Sequence, residues 1–113
     1  NKMVKIFRKK NFDIITNQLS KNCPKGLACE VAKSELFLKT KKKLSHTDKE
    51  HIFNFFYRNK REYRIYNLEN KFYHNKKKKN LSIDTPKDLS KIIKIYKNLG
   101  SIYIPTKKIL KII

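Results

Sequence analysis

The sequence is poor in glycine, with only two among its 113 residues. Neither belongs to a Gly-rich loop of the kind that cradles phosphate groups. An enzyme that binds a nucleotide unaided normally has such a loop, so we expect this chain to form only part of a site. No apolar run approaches the roughly 18 residues that span a bilayer. Without a visible signal peptide, we expect a soluble cytoplasmic protein, or at most a peripheral one.

Cysteine is also scarce. Cys23 and Cys29 are separated by five residues, and no Cys/His cluster with zinc-like spacing accompanies them. We therefore expect both thiols to be free, as in a reducing compartment, and nothing in their spacing indicates a disulfide.

Acidic residues are few: nine stand against 29 basic ones, and the formal net charge is +20. Such a charge usually indicates a nucleic acid or another anionic partner. Here the excess is spread along the chain, and lysine, asparagine and isoleucine are abundant together, which also fits a genome rich in A·T codons. Nucleic-acid binding is therefore a secondary hypothesis, although the basic field would attract phosphate-bearing ligands.

Strands and helices are predicted to alternate within one domain over residues 1–113, which favours an α/β layer architecture. The chain begins with Asn1 rather than methionine, so we expect it to be cut or processed. The predicted strands are Asp13–Thr16, Leu27–Ala32, Tyr63–Leu68 and Leu81–Asp84. Five helices are predicted. The first ends near residue 9, the second begins at Ser34, and the third follows a Thr47/Glu50 capping box. The fourth runs from Thr85 to Leu99, and the last covers Pro105–Ile113. The lysine-rich stretch Lys71–Asn80 is predicted to be a solvated loop.

The segment from Leu81 to Leu89 is the most informative one. Thr85, Pro86 and Asp88 fit the N-cap, first and third positions of a helix. Asp84 precedes the cap and need not take part in it. A carboxylate at the carboxyl end of a strand is well placed to hold a hydrated Mg²⁺ that carries phosphates. The alternative is that Asp84 only helps the helix to start.

Four segments in order resemble one family. Residues 24–31 (PKGLACEV) resemble its strand "P-x-G-L-D-x-E-V", and residues 50–59 (EHIFNFFYRN) resemble its helix "E-H-V-T-x-Y-x-Y". Residues 64–68 follow as in its next strand, and residues 81–96 resemble its ending "L-T-V-D-T-P-E-D-L … I-Y". The family is the spore-coat polysaccharide biosynthesis protein F group, which is related to the acylneuraminate and 3-deoxy-manno-octulosonate cytidylyltransferases. The resemblance covers nearly the whole chain.

The resemblance implies the C-terminal half of a nucleotide-diphospho-sugar transferase-like fold, a Rossmann-like three-layer sandwich. Family members are about twice as long, and their N-terminal half carries a nucleotide-binding loop, "A-R-x-x-S-x-R-L-P-G-K", that is absent here. They join CTP to a sugar, often an acidic one, releasing diphosphate and giving a CMP-sugar for surface polysaccharides. We therefore expect CTP, a sugar, Mg²⁺ and a homodimeric partner for the longer protein, and no transfer by this chain alone.

The resemblance also implies site residues. Asp84 matches a metal-holding aspartate, Glu30 would face the sugar, and Glu50 and His51 would begin a helix near the same mouth. Two of these residues also have a plainer alternative: Glu30 as a solvent-facing strand residue, and His51 as a surface or packing residue. Arg58 is expected to pair with a nearby acid, and Tyr96 to belong to the core.

The sequence also departs from the family pattern. Ala28 replaces an acid of the first motif, and Phe53-Asn54 replaces Thr-Pro in the second. These changes weaken the case for independent activity.

Two other hypotheses stay open. The chain could be a non-catalytic basic module that binds nucleic acid or an anionic polymer through interleaved aromatics, namely Phe55, Phe56, Tyr57, Tyr63 and Tyr66. Their spacing is that of a core, so packing is the better explanation. It could also be a decayed remnant of a gene, and cooperative melting would argue against that.

Overall fold

The computed structural model describes residues 2–19, 23–70, 73 and 79–112, and in these ranges the chain is a mixed α/β protein. Its strands are β1 (Ile14–Thr16), β2 (Glu30–Ala32) and β3 (Ile65–Asn67). Its helices are α1 (Lys2–Lys9), α2 (Ser34–Thr40), α3 (His46–Glu50), α4 (Ile52–Arg58), α5 (Pro86–Leu99) and α6 (Thr106–Ile112), with a 3-10 turn at Lys41–Lys43. The predicted α/β class is confirmed at this level. None of the helices in the described ranges has the length and apolarity that a membrane crossing requires.

The chain divides into two compact units. Unit 1 comprises Asn1–Asn17 and Cys29–Leu68, and unit 2 comprises Gln18–Ala28 and Glu69–Ile113. Unit 1 therefore contains all three strands and α1–α4, whereas unit 2 contains α5 and α6.

Unit 1 is built on a three-stranded sheet with the order β2-β1-β3. β1 is antiparallel to β2 and parallel to β3. Ile14 lies opposite Ala32 and Ile65 in the two neighbouring strands. The predictions of strands near these positions are confirmed, although β2 and β3 are each three residues long and shorter than predicted.

An aromatic core covers one face of this sheet. Ile14, Phe55 and Phe56 are buried together, and Phe37 and Tyr63 pack against them. The rings of Phe56 and Tyr63 meet edge to face, with centroids 5.0 Å apart. Because the apolar residues of α4 recur at helical spacing, the helix presents a continuous apolar stripe to the sheet. Burying each such side chain stabilises the fold by about 1.5–3 kcal/mol.

The start of α3 differs from the prediction. Its capping box is formed by Ser45 and Asp48: the Ser45 hydroxyl accepts from the Asp48 N–H, and the Asp48 carboxylate accepts from the Ser45 N–H at 3.0 Å. The predicted Thr47/Glu50 box is therefore wrong. The Asp48 carboxylate also binds the guanidinium of Arg58, so the box at Ser45 gains a tertiary contact.

Helix α5 of unit 2 begins and ends as predicted. The Thr85 hydroxyl accepts from the Asp88 N–H, the Asp88 carboxylate accepts from the Thr85 N–H, and Pro86 occupies the first turn. Gly100 ends the helix in the left-handed conformation, with φ +67°. The predicted last helix is also present, as α6.

The predicted strand at Leu81–Asp84 is not formed. A single parallel bridge joins Lys25 to Asn80, with the Leu81 N–H donating to the Lys25 carbonyl at 2.9 Å. The next N–H, that of Ser82, donates instead to the side-chain oxygen of Asn80 at 2.9 Å. This local bond replaces a ladder bond and ends the pairing after one residue. Most of the predicted loop at Lys71–Asn80 lies outside the described residues.

Candidate functional site

An ion pair in unit 2 joins two segments that are distant in sequence. The Lys25 ammonium donates to Asp84 Oδ2 at 2.7 Å, across 59 residues of chain. The Ser82 hydroxyl donates to the same oxygen at 3.0 Å. Both charged side chains are more than half exposed, so the pair is accessible to a ligand.

Each of the two charged groups stabilises the ionised form of the other. The hydrogen bond from Lys25 holds the pKa of Asp84 below its usual value, and Ser82 adds to this effect. The same hydrogen bond raises the pKa of Lys25. Asp88, not Asp84, supplies the capping carboxylate of α5. The side chain of Asp84 therefore takes no part in the capping box of α5.

The surroundings of Asp84 do not by themselves form a magnesium site. No group of three His, Cys, Asp or Glu side chains that could hold a metal ion occurs among the described residues. The neighbour of the carboxylate is an ammonium, which repels a divalent cation. A metal at Asp84 would need Lys25 to move and further ligands, such as substrate phosphates, to join. Its role as a metal ligand stays a prediction.

A cavity of about 340 Å³ lies in unit 2, near the lower end of the range of ligand pockets. It is mostly apolar, and Tyr96 and Thr106 are its residues with hydroxyl groups. Gly26 and Ile83, the chain neighbours of the ion pair, line it together with Leu27, Leu81, Ile92, Ile95 and Ile109. Tyr96, expected in the core, is half-buried on this wall.

Glu30, the predicted sugar-facing residue, lies in unit 1. Its carboxylate is half-buried and accepts a hydrogen bond from the Tyr57 hydroxyl at 3.1 Å. The Tyr57 hydroxyl also bonds the hydroxyl of Thr16 at 2.9 Å. Burial raises the pKa of Tyr57 well above its usual value, and the Glu30 charge adds to the rise, so this phenol stays protonated. Glu30 is thus part of a hydrogen-bonded group rather than a simple solvent-facing residue.

Glu30, Thr16 and Asn67 form what we call the polar row. Glu30 and Asn67 are the register partners of Thr16 on the two neighbouring strands. Thr16 is fully buried, and Asn67 Oδ1 is a buried oxygen that has no hydrogen-bond partner among the described residues. Thr16 and Asn67 were not predicted as site residues, and Tyr57 was named only among the aromatics of the alternative nucleic-acid-binding module. The only sequence signal for Thr16 and Asn67 is that each predicted strand has a polar residue near one end.

Glu50 and His51 were predicted to begin one helix together, and this prediction is wrong. Glu50 is the last residue of α3, and His51 separates α3 from α4. Both are exposed. Arg58 pairs with Asp48, which confirms the expectation that it binds an acid, and this contact lowers the pKa of Asp48 to about 2. Of the predicted site residues, Asp84 belongs to unit 2 and the other three to unit 1.

Comparison with known proteins gives no relative. No protein-family model matches the sequence, and neither the curated proteins nor the solved structures contain a match.

Proposed function

We propose that this chain is the C-terminal, sugar-binding half of a cytidylyltransferase that makes a CMP-sugar from CTP for surface polysaccharide synthesis. The observation that carries the proposal is the Lys25–Asp84 ion pair. Lys25 lies in the segment that resembles the family's "P-x-G-L" motif, and Asp84 lies in the one that resembles its "V-D-T-P" motif. Two motifs chosen on resemblance alone are thus in contact through their charged residues.

Gly26 supports the same pairing of motifs. Its φ is +88°, a conformation that L side chains rarely adopt. A Cβ built on Gly26 would lie 2.5 Å from the backbone nitrogen of Ser82 and 2.7 Å from the carbonyl carbon of Leu81. Because the motifs approach this closely, the glycine of "P-x-G-L" has a physical reason to be glycine.

The chemistry of the reaction suits these residues. A sugar hydroxyl attacks the α-phosphorus of CTP and diphosphate leaves, so catalysis consists of positioning and charge neutralisation. In the proposal, the Lys25 ammonium neutralises phosphate oxygens, and the Asp84 carboxylate holds that ammonium in place. Mg²⁺, when bound with the substrate phosphates, would supply further positive charge. By the resemblance alone, Glu30, Glu50 and His51 are the residues proposed to serve the sugar.

The longer protein is proposed to complete the site. Its preceding half would supply the nucleotide loop, and the whole would adopt the three-layer sandwich of nucleotide-diphospho-sugar transferases. By the same resemblance, it would form a homodimer, which light scattering on the purified protein would test.

The decisive experiment starts from the coding DNA upstream of Asn1. We expect it to encode, in frame, a strand and an Arg- and Gly-containing phosphate loop. The longer protein should then release diphosphate from CTP, Mg²⁺ and an acidic sugar, and Asp84→Asn should sharply reduce turnover. Glu35→Gln, at an exposed site on α2, is the matched carboxylate control and should retain turnover. Unrelated upstream sequence, unchanged turnover in Asp84→Asn, or transfer by the 113-residue chain alone would contradict the proposal.

The alternative of a basic module for nucleic acid has less support from the packing. Phe55 and Phe56 are buried, Tyr63 packs on Phe56, and the Tyr57 hydroxyl is bonded within unit 1. Tyr66, the exposed member of the set, stacks on Phe12 with ring centroids 5.0 Å apart. Retention of polynucleotide at moderate salt, with a steep salt dependence, would nevertheless favour this alternative.

A further inference from the structure

Large apolar side chains are exposed to solvent around the cavity of unit 2. Ile83 lines the cavity and is 54% exposed. On α5, Leu89 and Ile93 lie one turn apart and are also exposed, so they form a stripe along the helix. Their neighbours at helical spacing are Ile92 and Tyr96, which line the cavity. The stripe and the cavity wall therefore form one apolar surface.

The connection between α5 and α6 adds two further apolar side chains. Ile102 is 71% exposed and Tyr103 is 89% exposed, so neither contributes to the packing of unit 2. Thr106, where the connection ends, lines the same cavity. Exposed apolar patches of this kind mark surfaces that contact a protein or a membrane. What we call the apolar rim consists of Ile83, Leu89, Ile93, Ile102 and Tyr103.

The helices that carry or adjoin the apolar rim are strongly basic. Helix α5 has four lysines and one acidic residue, and α6 has three lysines and no acidic residue. The two acids nearest in sequence are already bonded within unit 2, since Asp84 binds Lys25 and Asp88 caps α5. The positive charge of these helices is therefore not neutralised by their own acidic residues.

Two lysines of α5 are placed to act together with the stripe. Lys97 lies one turn beyond Ile93, and Lys94 lies one turn before Lys97. Both are exposed, and neither forms an ion pair with any described residue. A partner that covers the stripe therefore meets apolar side chains and unpaired ammonium groups on the same side of the helix.

This combination restricts the partner. A second copy of the chain would bring the lysines of two copies together, and like charges repel. A polynucleotide would bind the lysines through its phosphates but leave Leu89 and Ile93 in water. An acidic protein would need a matching pocket for each projecting side chain. A lipid bilayer needs none, because its acyl chains are fluid and its headgroups can carry the negative charge.

We propose that the apolar rim and the lysines of α5 and α6 bind the surface of an anionic lipid bilayer. The rim enters the boundary between headgroups and acyl chains, while the lysines remain among the anionic headgroups. Tyr103 suits this depth, because tyrosine is enriched at the level of the headgroups. The binding is peripheral, and it goes beyond the proposed function without depending on it.

Vesicle sedimentation of the 113-residue chain tests the proposal. Vesicles of phosphatidylcholine are compared with vesicles of phosphatidylcholine mixed with the anionic phosphatidylglycerol. The unsubstituted chain should bind the mixed vesicles and be released by salt. Replacing both Leu89 and Ile93 by glutamine should weaken binding about tenfold or more, because the rim loses its apolar stripe. Replacing both Lys94 and Lys97 by glutamine should weaken it by about as much at low salt.

Unit 1 provides a matched control for each pair. Leu38→Gln changes an exposed leucine of α2 and should leave binding unchanged. Replacing both Lys41 and Lys42 by glutamine lowers the net charge by the same amount as the α5 lysine pair, but at exposed positions of unit 1. This variant should retain most of the binding. Tyr103→Ser repeats the apolar test outside any helix, and melting temperatures show whether each variant is folded.

Each contrary outcome has a definite meaning. No binding to the mixed vesicles, or equal binding to both kinds of vesicle, overturns the anionic bilayer as the partner. Binding that depends on lysines but on none of the apolar substitutions overturns the role of the rim, and an equal loss in the two lysine pairs overturns its location. Retention on polyglutamate without vesicle binding would identify an acidic polypeptide as the partner instead. Nucleotidyl transfer by the longer protein is measured separately and affects none of these results.

Discussion

Units 1 and 2 are similar in size but differ in how they treat apolar side chains. Unit 1 buries Ile14, Ile15, Phe55 and Phe56, and its exposed large apolar residues among those described are Leu38 and Tyr66. Among its described residues, unit 2 buries Ile95, Leu110 and Pro24. The exposed large apolar residues in the described part of unit 2 are Leu19, Ile83, Leu89, Ile93, Ile102, Tyr103 and Ile112.

This difference in burial indicates that the two units are stabilised by different interactions. Unit 1 depends on a compact aromatic core beneath a sheet, where dispersion and burial act over many contacts. Unit 2 depends on α5, a helix capped at both ends, and on one close backbone approach, at Gly26. A change of side-chain volume should therefore damage unit 1 most, and a change of backbone freedom should damage unit 2 most.

Phe56→Ala should have the largest effect. It removes a fully buried ring that meets Phe37, Phe53, Phe55 and Tyr63 edge to face. The expected loss of unfolding free energy is about 3–5 kcal/mol, measured by chemical denaturation. Hydrogen exchange should show the loss first in amides of unit 1. Leu38→Ala, at a side chain 76% exposed, is the control and should change little. An equal loss of hydrogen-exchange protection in the amides of both units would contradict the proposed difference between them.

Gly26→Ala should be the most damaging single-methyl change in unit 2. Its Cβ would collide with the backbone of Leu81 and Ser82, so the bridge between Lys25 and Asn80 must open. Gly100→Ala is the matched control: its φ is also positive, but no atom lies within 4 Å of the added Cβ. The control should cost only about 1–2 kcal/mol for the left-handed backbone. Equal melting temperatures for the two variants would show that the close approach contributes nothing.

Acid should weaken unit 1 through Asp48. The Arg58 and Ser45 contacts lower its pKa from 3.8 to about 2 in the folded protein. A lowered carboxylate pKa contributes stability above the unfolded value, and that contribution is lost as the pH falls from about 4 to about 2. Asp48→Asn should lower the melting temperature at pH 7 and flatten its dependence on pH in that window. An unchanged pH profile would contradict the assignment.

Lys25→Met should have the smallest effect on stability. The ion pair with Asp84 is exposed, and such pairs contribute little because water and salt screen them. The melting temperature should therefore stay close to that of the unsubstituted chain in low and moderate salt. A large drop at low salt that vanishes as salt is added would show instead that unit 2 depends on this pair.

Within unit 2, the sequence predicted α5 most accurately, because the residues that start and end this helix all lie close to its ends. Thr85, Pro86, Asp88 and Gly100 specify the ends of α5 almost by themselves. The start of α3 was ambiguous, since Ser45/Asp48 and Thr47/Glu50 both have the spacing of a capping box. Arg58, ten residues beyond Asp48, provides the contact that distinguishes them, and no local rule contains it.

The candidate site was predicted only in part, because it depends on register. Asp84 and Glu30 could be singled out from motifs in the sequence. Thr16 and Asn67 become neighbours only because β3 joins β1 in parallel, a pairing between segments about 50 residues apart. The missing strand at Leu81–Asp84 has a similar cause: the side chain of Asn80 competes for a backbone donor, and propensity does not count that bond.

The division of the chain has a consequence for its synthesis. Every residue of unit 1 has been translated once Leu68 leaves the ribosome, whereas unit 2 needs both its early segment, Gln18–Ala28, and the chain that follows Glu69. Unit 1 can therefore fold while most of unit 2 has not yet been translated. Gly26 meets its neighbours Leu81 and Ser82 only when the last third of the chain emerges.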